Sequence, residues 1–415
     1  MTVIKYNNRV NKFNGRILNY KSEFEFIFIG SQFPNSGINS ELKMTFTSPV
    51  SVKVDFGNGV VNTYNSILGV FLMSNPGNIG AAQSSGNYIY PDGLNIERKI
   101  KLTISNPDAL SSINFQLLAI KEQVLFINFN LYKNLTGLAF RYLGGRILDI
   151  DASFLNLTSF VEYTSFGSFS LVSKFYGAIP DVVLAKNTLK RLAIGDAGFN
   201  GKTFAQSKLD QVAASFPDLE EFSIYLTNLT DTNGGQGALP SNFVNLTKLR
   251  EFKIDQGRYT KPPDILNYIP ALERIKIVYS TSLTSFGDLS LMASRLKLLD
   301  FTYQNNLPTT LPVWMSAATS LKEILMTDAL LGTTRVNLWV DNWYAFIVAS
   351  AAISGANTLP FRGMTHRISG TNGIPSGTYQ QPTGYVAGSN NGTPASQKEK
   401  IWVMVNQYGH NWTTN

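Results

Sequence analysis

One short phrase recurs six times in the second half of the chain and limits the folds that are open to it. Each copy has a leucine followed, three and five positions later, by two further apolar residues. Successive copies start 30, 30, 23, 24 and 25 residues apart. Repetition with such a period predicts a stack of similar units. The copies are Leu189-x-x-Leu192-x-Ile194, Leu219-x-x-Phe222-x-Ile224, Leu249-x-x-Phe252-x-Ile254, Leu272-x-x-Ile275-x-Ile277, Leu296-x-x-Leu299-x-Phe301 and Leu321-x-x-Ile324-x-Met326.

The last two apolar residues of each copy are two positions apart, which is the spacing of one buried face of a strand. One such strand cannot bury its apolar side alone, so the copies must stack into a solenoid with one curved parallel sheet. Weaker copies extend the ladder toward the N-terminus, with one more degenerate candidate at residues 147–150. We place the solenoid at residues 106–335. The weaker copies are Leu110-x-x-Ile113-x-Phe115, Leu135-x-x-Leu138-x-Phe140 and Leu157-x-x-Phe160.

Prolines support this register, because Pro180, Pro240, Pro263 and Pro312 each lie nine residues before the first leucine of a repeat. Proline fixes its own backbone and marks the turn where the chain leaves one strand and crosses behind the sheet. The phrases Gly-Ala-Ile-Pro and Gly-Ala-Leu-Pro, which end at Pro180 and Pro240, resemble the extended "G-x-I-P" type of leucine-rich repeat. This resemblance implies an α/β solenoid with short helical or irregular turns behind its sheet.

The N-terminal region, residues 1–105, is predicted to be rich in β-strands. Residues 23–29, 42–46, 50–56 and 100–104 alternate polar with apolar side chains, and Gly57-Asn58-Gly59 predicts a hairpin. The hairpin phrase is similar to one found in small β-sandwich modules of bacterial and phage surface proteins. That similarity implies a β-sandwich-like anchoring domain.

The C-terminal region is predicted to form a helical cap over residues 336–370 and a small β module over residues 371–415. Residues 336–350 contain no proline or glycine, and we expect a helix that covers the open end of the solenoid, with Trp339, Trp343 and Phe346 in packing roles. The module is rich in Gly, Pro, Asn and Thr, and Lys400–Asn406 is predicted as a strand within it.

The segment from Pro382 to Tyr408 resembles C-terminal modules of phage and prophage structural proteins from Bacteroidetes-type bacteria. This resemblance implies a virion component. Residues 1–9 contain no apolar signal region, and no stretch is long enough to span a bilayer, so we expect a protein made in the host cytoplasm without a signal peptide and without membrane insertion.

Composition limits the possible chemistry. The 415 residues include no cysteine, so disulfides, thiol nucleophiles and cysteine-ligated metals are excluded. The formal charge of +7 is spread thinly, which argues against nucleic acid as the main partner. His366 and His410 are the only two histidines, and no nucleotide-binding or hydrolase motif is present. We therefore expect a non-enzymatic protein without cofactor or metal, and keep glycan cleavage by paired carboxylates as a minor alternative.

A binding face is predicted from the repeat geometry. Residues between the buried positions of each repeat point outward on the concave side of the sheet, and stacking places them in columns. These columns mix acids with bases, which suits recognition of another protein or a glycan, although cross-strand charge pairs could equally serve solubility alone. The candidate binding residues are Arg191, Glu221, Ser223, Tyr225, Glu251, Lys253, Asp255, Arg274, Lys276, Asp300, Thr302, Glu323 and Thr327.

The function favoured by these observations is a bacteriophage tail or surface protein that recognises a bacterial receptor or a neighbouring virion protein. The partners expected are other virion proteins, and a bacterial surface protein or glycan. The alternatives are a purely structural or decorating virion protein and a bacterial leucine-rich repeat interaction protein. The oligomeric state stays open, with a homo-oligomer among the possibilities.

Overall fold

The computed structural model describes most of the chain in segments. These are residues 23–30, 32–33, 41–74, 84–85, 88–94, 96–116, 123–125, 129–140, 147–150, 152–166, 181–195, 206–225, 239–255, 259–280, 282–304, 306–354 and 363–415.

The N-terminal part consists of antiparallel strands that continue into the solenoid sheet. In the predicted hairpin Asp55 pairs with Val61, and the Phe56 N–H donates to the Val60 carbonyl at 3.1 Å. Gly57 is required in this turn, since its φ is +77° and a Cβ there would lie 2.6 Å from the Lys99 carbonyl oxygen. The strands are β1 (Glu23–Gly30), β2 (Gln32–Phe33), β3 (Glu41–Asp55), β4 (Val61–Ser74), β5 (Ser84–Ser85), β6 (Tyr88–Ile89) and β7 (Ile96–Ile104).

The repeats form the predicted parallel ladder. One sheet of 16 strands contains, in order, β1, β7, β3, β8, β10 and then β12 through β18 in sequence. Two C-terminal strands, β19 (Thr365–Ile368) and β22 (Asn411–Thr414), complete this order, while β4 pairs with β3 and β5 pairs with β4. The fold is thus a leucine-rich repeat solenoid. The strands of this part are β8 (Leu110–Gln116), β9 (Gln123–Leu125), β10 (Gly137–Phe140), β11 (Ile147–Ile150), β12 (Glu162–Phe166), β13 (Arg191–Gly195), β14 (Glu221–Tyr225), β15 (Glu251–Asp255), β16 (Arg274–Val278), β17 (Leu298–Asp300) and β18 (Glu323–Leu325).

The register confirms the repeat alignment. Leu192 pairs with Phe222, and the same column continues through Phe252, Ile275 and Leu299, all fully or almost fully buried. A fully buried aliphatic or aromatic side chain contributes roughly 1.5–3 kcal/mol by leaving water, so this column is a large share of what holds neighbouring repeats together.

Two weaker repeats differ from the prediction. Tyr163, not Phe160, pairs with Leu192, so the Leu157-x-x-Phe160 register is wrong by three residues. Phe160 instead holds the position of the first leucine and is buried. Among the described strands, β11 at residues 147–150 pairs with β9 alone, in a separate two-stranded sheet.

Proline positions begin the short helical turns between strands. Pro240, Pro263 and Pro312 each directly precede a 3-10 helix, and each turn adds buried side chains to the core. Two crossings use α-helices instead, α1 (Asp181–Leu184) and α2 (Gln206–Ser215). The 3-10 helices are Pro107–Ala109, Phe129–Leu131, Ala152–Asn156, Ser241–Asn245, Asp264–Tyr268, Ala293–Arg295 and Val313–Ala317.

The C-terminal part extends the sheet by two more strands. The predicted helix is present as α3, with Trp339 and Trp343 fully buried. It does not close the solenoid, however, because β19 pairs with β18 after it and β22 follows β19. The elements are α3 (Thr333–Ser354), β19 (Thr365–Ile368), β20 (Thr383–Val386), β21 (Asn390–Thr393), α4 (Gln397–Asn406) and β22 (Asn411–Thr414).

The strand predicted at Lys400–Asn406 is wrong, since these residues lie in helix α4. Lys400 Nζ of α4 bonds to Asp341 Oδ1 of α3 at 2.8 Å, which joins the two helices. Burial of Ile401, Val403 and Met404 anchors α4 to the core.

One core runs through all these parts. Met44 of β3 pairs with Ile113 of β8, and the buried apolar residues form one cluster from Leu42 to Tyr408. The boundary predicted between residues 105 and 106 therefore lies inside a single sheet. Within the part of the chain that the structure describes, no helix combines the length and the apolar character that crossing a bilayer requires.

Candidate binding face on the solenoid

The sheet surface opposite the core carries the predicted binding residues, and we call the part formed by β12–β18 the open face. Along β14 and β15 the side chains alternate between buried and solvent-facing, as the pleat of a half-buried strand requires. The first outward column runs Glu162, Arg191, Glu221, Glu251 and Arg274. Acids and bases are thus neighbours across strands.

Most predicted site residues lie on this surface. Asp255 differs, because only 9% of its surface is exposed and its carboxylate bonds to Lys253 Nζ at 3.1 Å. Tyr225 ends β14, and its side chain lies outside the described part of the structure. The other candidates are exposed or half-buried: Arg191, Glu221, Ser223, Glu251, Lys253, Arg274, Lys276, Asp300, Thr302, Glu323 and Thr327.

Two ion-pair clusters flank the centre of the open face. On one side Arg191 Nε and Nη2 bond to Glu162 Oε2 at 3.1 and 3.0 Å. On the other, Glu251 accepts from Lys276 Nζ at 2.6 Å, and Arg274 Nη1 lies 3.9 Å from its second oxygen. The exposed pair of Arg191 and Glu162 contributes about 0–1 kcal/mol, so a partner can exchange it at little cost. The pair of Glu251 and Lys276 is less exposed.

Glu221 stands between these clusters and forms no salt bridge with any residue that the structure describes. Burial raises the pKa of the Glu221 carboxyl, and the Glu251 carboxylate raises it further. Arg191 and Lys276 act in the opposite direction without balancing the shift. The centre of the open face is therefore an exposed carboxylate whose negative charge is poorly compensated.

The ion pair of Lys253 and Asp255 is less exposed to solvent than Glu221. Burial raises the pKa of the Asp255 carboxyl, and the Lys253 ammonium offsets part of that shift. The Asp300 carboxylate adds a further small rise. Asp255 therefore serves to fix Lys253 more than to contact a partner directly.

Two tyrosines at the edge of the open face were not among the residues predicted from the sequence. Tyr279 and Tyr303 stack with ring centroids 4.0 Å apart at an angle of 16°, and 44% of Tyr279 is exposed. Both have positive φ, +54° and +61°, which is rare for an aromatic residue. A bond between the two hydroxyls and burial raise the pKa of Tyr279 to about 12. Each lies five residues after its strand begins, and that shared offset was readable in the sequence.

The backbone after four strands repeats this left-handed turn. Tyr279, Tyr303, Asp328 and Gly370 follow the starts of β16, β17, β18 and β19 by five residues, and all have positive φ. A Cβ at Gly370 would overlap the Asp328 carboxylate, and Asp328 Oδ1 accepts from the Thr371 N–H at 2.7 Å. The edge of the open face is thus rigidly shaped.

The two histidines lie away from this face. His366 belongs to β19, and His410 directly precedes β22; both are buried. No three acidic or histidine side chains among the described residues come close enough to hold a metal ion.

Comparisons with solved structures give resemblances to proteins that contain leucine-rich repeats. A complex of TLR13 with ssRNA13 has 15% identity and a TM-score of 0.39, over 64% of this chain and 36% of that one. A leucine-rich repeat protein of Leptospira interrogans has 13% identity and a TM-score of 0.31, over 59% and 57%. An internalin of Listeria monocytogenes has 12% identity and a TM-score of 0.30, over 65% and 83%.

The matched region spans less than two thirds of the TLR13 chain and of the Leptospira chain. No protein-family model matches the sequence. No curated protein matches it either.

Proposed function

We propose that this protein binds another protein through the open face, without catalysis. The observation that carries the proposal is Glu221, an exposed carboxylate with a raised pKa that stands between two ion-pair clusters and forms no salt bridge within the described residues. Leaving a carboxylate partly desolvated costs free energy, which a partner can recover by offering a cation or a hydrogen-bond donor. A carboxylate whose charge is poorly compensated favours a binding role for this face over a role in solubility alone.

The surroundings of Glu221 favour a partner with charges of both signs. Arg191 and Arg274 are about half exposed, so each can turn from its carboxylate toward an acidic group of the partner. At the edge, the Tyr279 and Tyr303 pair offers a rigid aromatic contact, which is the residue type that contributes most at protein interfaces. Complementary charge would mainly set the association rate and the specificity.

We also propose that the setting is a bacteriophage virion, where the partner is a bacterial receptor or a neighbouring virion protein. This part of the proposal is supported by the sequence resemblance of residues 382–408 to phage structural modules. A bacterial leucine-rich repeat interaction protein is the other candidate, and the same open face would serve it.

The binding face is tested with phage particles that carry Glu221→Lys, compared with particles that carry Glu220→Lys. Both variants change charge equally at adjacent positions, but Glu220 bonds to Lys190 outside the outward column. We expect loss of adsorption with intact particles for Glu221→Lys alone. Equal adsorption by both variants would contradict the role of the open face.

The virion setting is tested separately by immunogold labelling of particles with an antibody to residues 106–335. Label at a tail or fibre tip supports receptor binding, and label on the capsid supports decoration. Particles without label would favour the cellular interaction protein.

A further inference from the structure

The last strand of the sheet, β22, has one edge that no described strand covers. Its Asn411 N–H donates to the Met364 carbonyl at 2.8 Å, so residue 411 faces β19. Because successive residues of a strand alternate in the direction of their backbone groups, the N–H and C=O of Trp412 and Thr414 face away from β19. The free edge therefore offers a short row of backbone donors and acceptors that no described residue pairs with.

A groove runs along this edge. A cavity of about 530 Å³ is lined by all five residues from Asn411 to Asn415 and by one side of α4, including Lys398, Ile401 and Val405. The groove follows five consecutive residues, Asn411 to Asn415, and its lining mixes polar residues with the apolar Ile401 and Val405, which suits an extended chain better than a compact apolar ligand. Strand addition to an exposed sheet edge is a recurrent mode of peptide recognition.

Trp412 forms the centre of the groove. It occupies the inward column of the solenoid and stacks on His366, with centroids 4.1 Å apart at 7°. One face of the indole is therefore covered, while the half-exposed ring also lines the groove. Its Nε1 atom is buried and has no hydrogen-bond partner among the described residues. An apolar side chain of an occupant beside the ring would cover the exposed part of the indole.

Charge further defines the occupant. Lys398 has the one side chain among the described groove residues that carries a full charge at neutral pH, and it forms no salt bridge within the described part of the chain. An acidic side chain of the occupant would pair with it. The strand is also held in place before binding, because Asn415 Nδ2 donates to the carbonyls of Gly370 and Asn372 at 2.6 Å each. Such pre-organisation lowers the entropic cost of association.

We propose that β22 and this groove bind an extended segment of a second, different polypeptide by strand addition, with an apolar residue on Trp412 and an acidic residue at Lys398. This site is separate from the open face. The protein thus has two interaction surfaces, one along its parallel strands and one at the end of the sheet.

The test uses two synthetic peptides of seven residues. The first alternates threonine with valine and carries one glutamate, and the second has proline in place of the central valine. Binding to the full chain is measured by NMR or calorimetry, together with hydrogen exchange of the Trp412 and Thr414 amides. We expect the first peptide alone to bind and to protect both amides from exchange.

Matched variants locate the site. Thr414→Pro removes an N–H that faces the free edge and leaves the bonds to β19 intact, while Thr414→Val keeps that N–H. We expect Thr414→Pro and Lys398→Glu each to weaken binding by about tenfold or more, and Thr414→Val to have little effect. Glu221→Lys on the open face should bind the peptide normally, which separates failure here from failure of the proposed function.

Several results would overturn the proposal. These are absence of binding by the first peptide at millimolar concentration, equal binding by both peptides, and unchanged binding by Thr414→Pro. Concentration-dependent self-association that Thr414→Pro abolishes would assign the edge to a second copy of this chain instead. Each variant must have the same unfolding midpoint as the unmodified protein. Hydrogen exchange of Trp412 and Thr414 in the unmodified protein tests binding at the edge without relying on any variant.

Discussion

The Nε2 atom of His366 lies 3.0 Å from the Nδ1 atom of His410, deep in the core between the last two strands of the sheet. One ring must donate and the other accept, so the contact needs at least one of the two facing nitrogens to be without a proton. His366 also stacks on Trp412, and Trp343 contacts it edge-on at 4.8 Å. The pair therefore joins β19, the start of β22 and helix α3 in one neutral contact.

This contact predicts that acid destabilises the fold. Burial lowers the pKa of His410 to about 4 and holds that of His366 well below its usual range. Since the unfolded chain keeps ordinary values near about 6.5, it binds more protons than the folded chain as the pH falls below that value. The free energy of unfolding is then lost progressively from about pH 6.5 downward, by about 3 kcal/mol for His410 alone by about pH 4.

Urea unfolding at about pH 7 and about pH 5 measures this loss. His410→Gln keeps polar atoms near the same place but does not titrate, so its stability should depend less on pH over this window. A slope equal to that of the unmodified protein would assign the acid sensitivity to other groups.

Glu221 is predicted to serve binding at the expense of stability. Because its pKa is raised in the folded protein, the charged form destabilises the fold at neutral pH, and stability is regained as the pH falls and the group becomes protonated. Glu221→Gln should therefore leave the free energy of unfolding unchanged or raise it by a few tenths of a kcal/mol, about as expected for an exposed site.

Glu220→Gln is the control, with the opposite sign. Bonding to Lys190 lowers the pKa of Glu220, so this substitution removes a favourable pair that contributes about 0–1 kcal/mol. Thermal unfolding of both variants is the measurement. A clear loss of stability in Glu221→Gln would show that the carboxylate has a structural partner.

Arg295 is predicted to be a structural cation between repeats. Its guanidinium donates to the carbonyls of Leu272, Asn267, Ile269 and Leu291 at 2.8 to 3.1 Å, and burial lowers its pKa. Arg295→Ala removes the guanidinium donor from these carbonyls, of which Ile269 keeps a bond from the Leu272 N–H, and should cost about 2–4 kcal/mol in the free energy of unfolding. Arg295→Lys keeps a charge but can reach fewer carbonyls, so an intermediate loss in urea unfolding is expected; equal losses would contradict the geometric role.

Gly370→Ala is predicted to damage the edge of the open face. The added methyl group would meet the Asp328 carboxylate in addition to the strain of a φ of +81°. Gly388→Ala is the matched control, since Gly388 has a φ of +76° but nothing within 4 Å of the new methyl group. We expect about 1–2 kcal/mol for the control and a larger loss for Gly370→Ala, measured by thermal unfolding.

The regular part of the fold could be predicted because its signals agree. In β13–β18 the spacing of leucines, the alternation within each strand and the prolines before the turns all indicate the same register, and the structure has that register. Where the signals conflict the prediction fails. Tyr163 replaces the usual aliphatic residue of its strand, so the pattern was read three residues early and Glu162 was missed as part of the outward column.

Helix α4 shows a different reason for failure. A short apolar run such as Lys400–Asn406 fits a buried strand and a buried helix equally well. The deciding signal stands before it: Ser396 Oγ accepts from the Glu399 N–H at 3.3 Å, and Glu399 Oε2 accepts from the Ala395 N–H at 2.6 Å. A serine followed three residues later by glutamate is the sequence mark of a helix start.

The candidate site was predictable in position but not in energetics. Alternation along each strand is enough to place Glu221 outward, whereas its raised pKa depends on charged side chains of other strands, among them Glu251 and Arg191. Likewise no pattern of single strands predicts that Asp255 is nearly buried or that Tyr279 stacks on Tyr303. These properties depend on contacts between side chains of neighbouring repeats.

The sheet reverses direction where β3 pairs antiparallel with β8, while β22 ends it as a parallel strand whose second edge is covered by no strand that the structure describes. The two ends are therefore not equivalent. A further repeat of the same kind could be appended beside β22 with its backbone bonds in the existing pattern, but none could be inserted next to β8 without displacing β3. Duplication of repeats could therefore lengthen this solenoid at the β22 end, whereas the antiparallel N-terminal strands fix the other end.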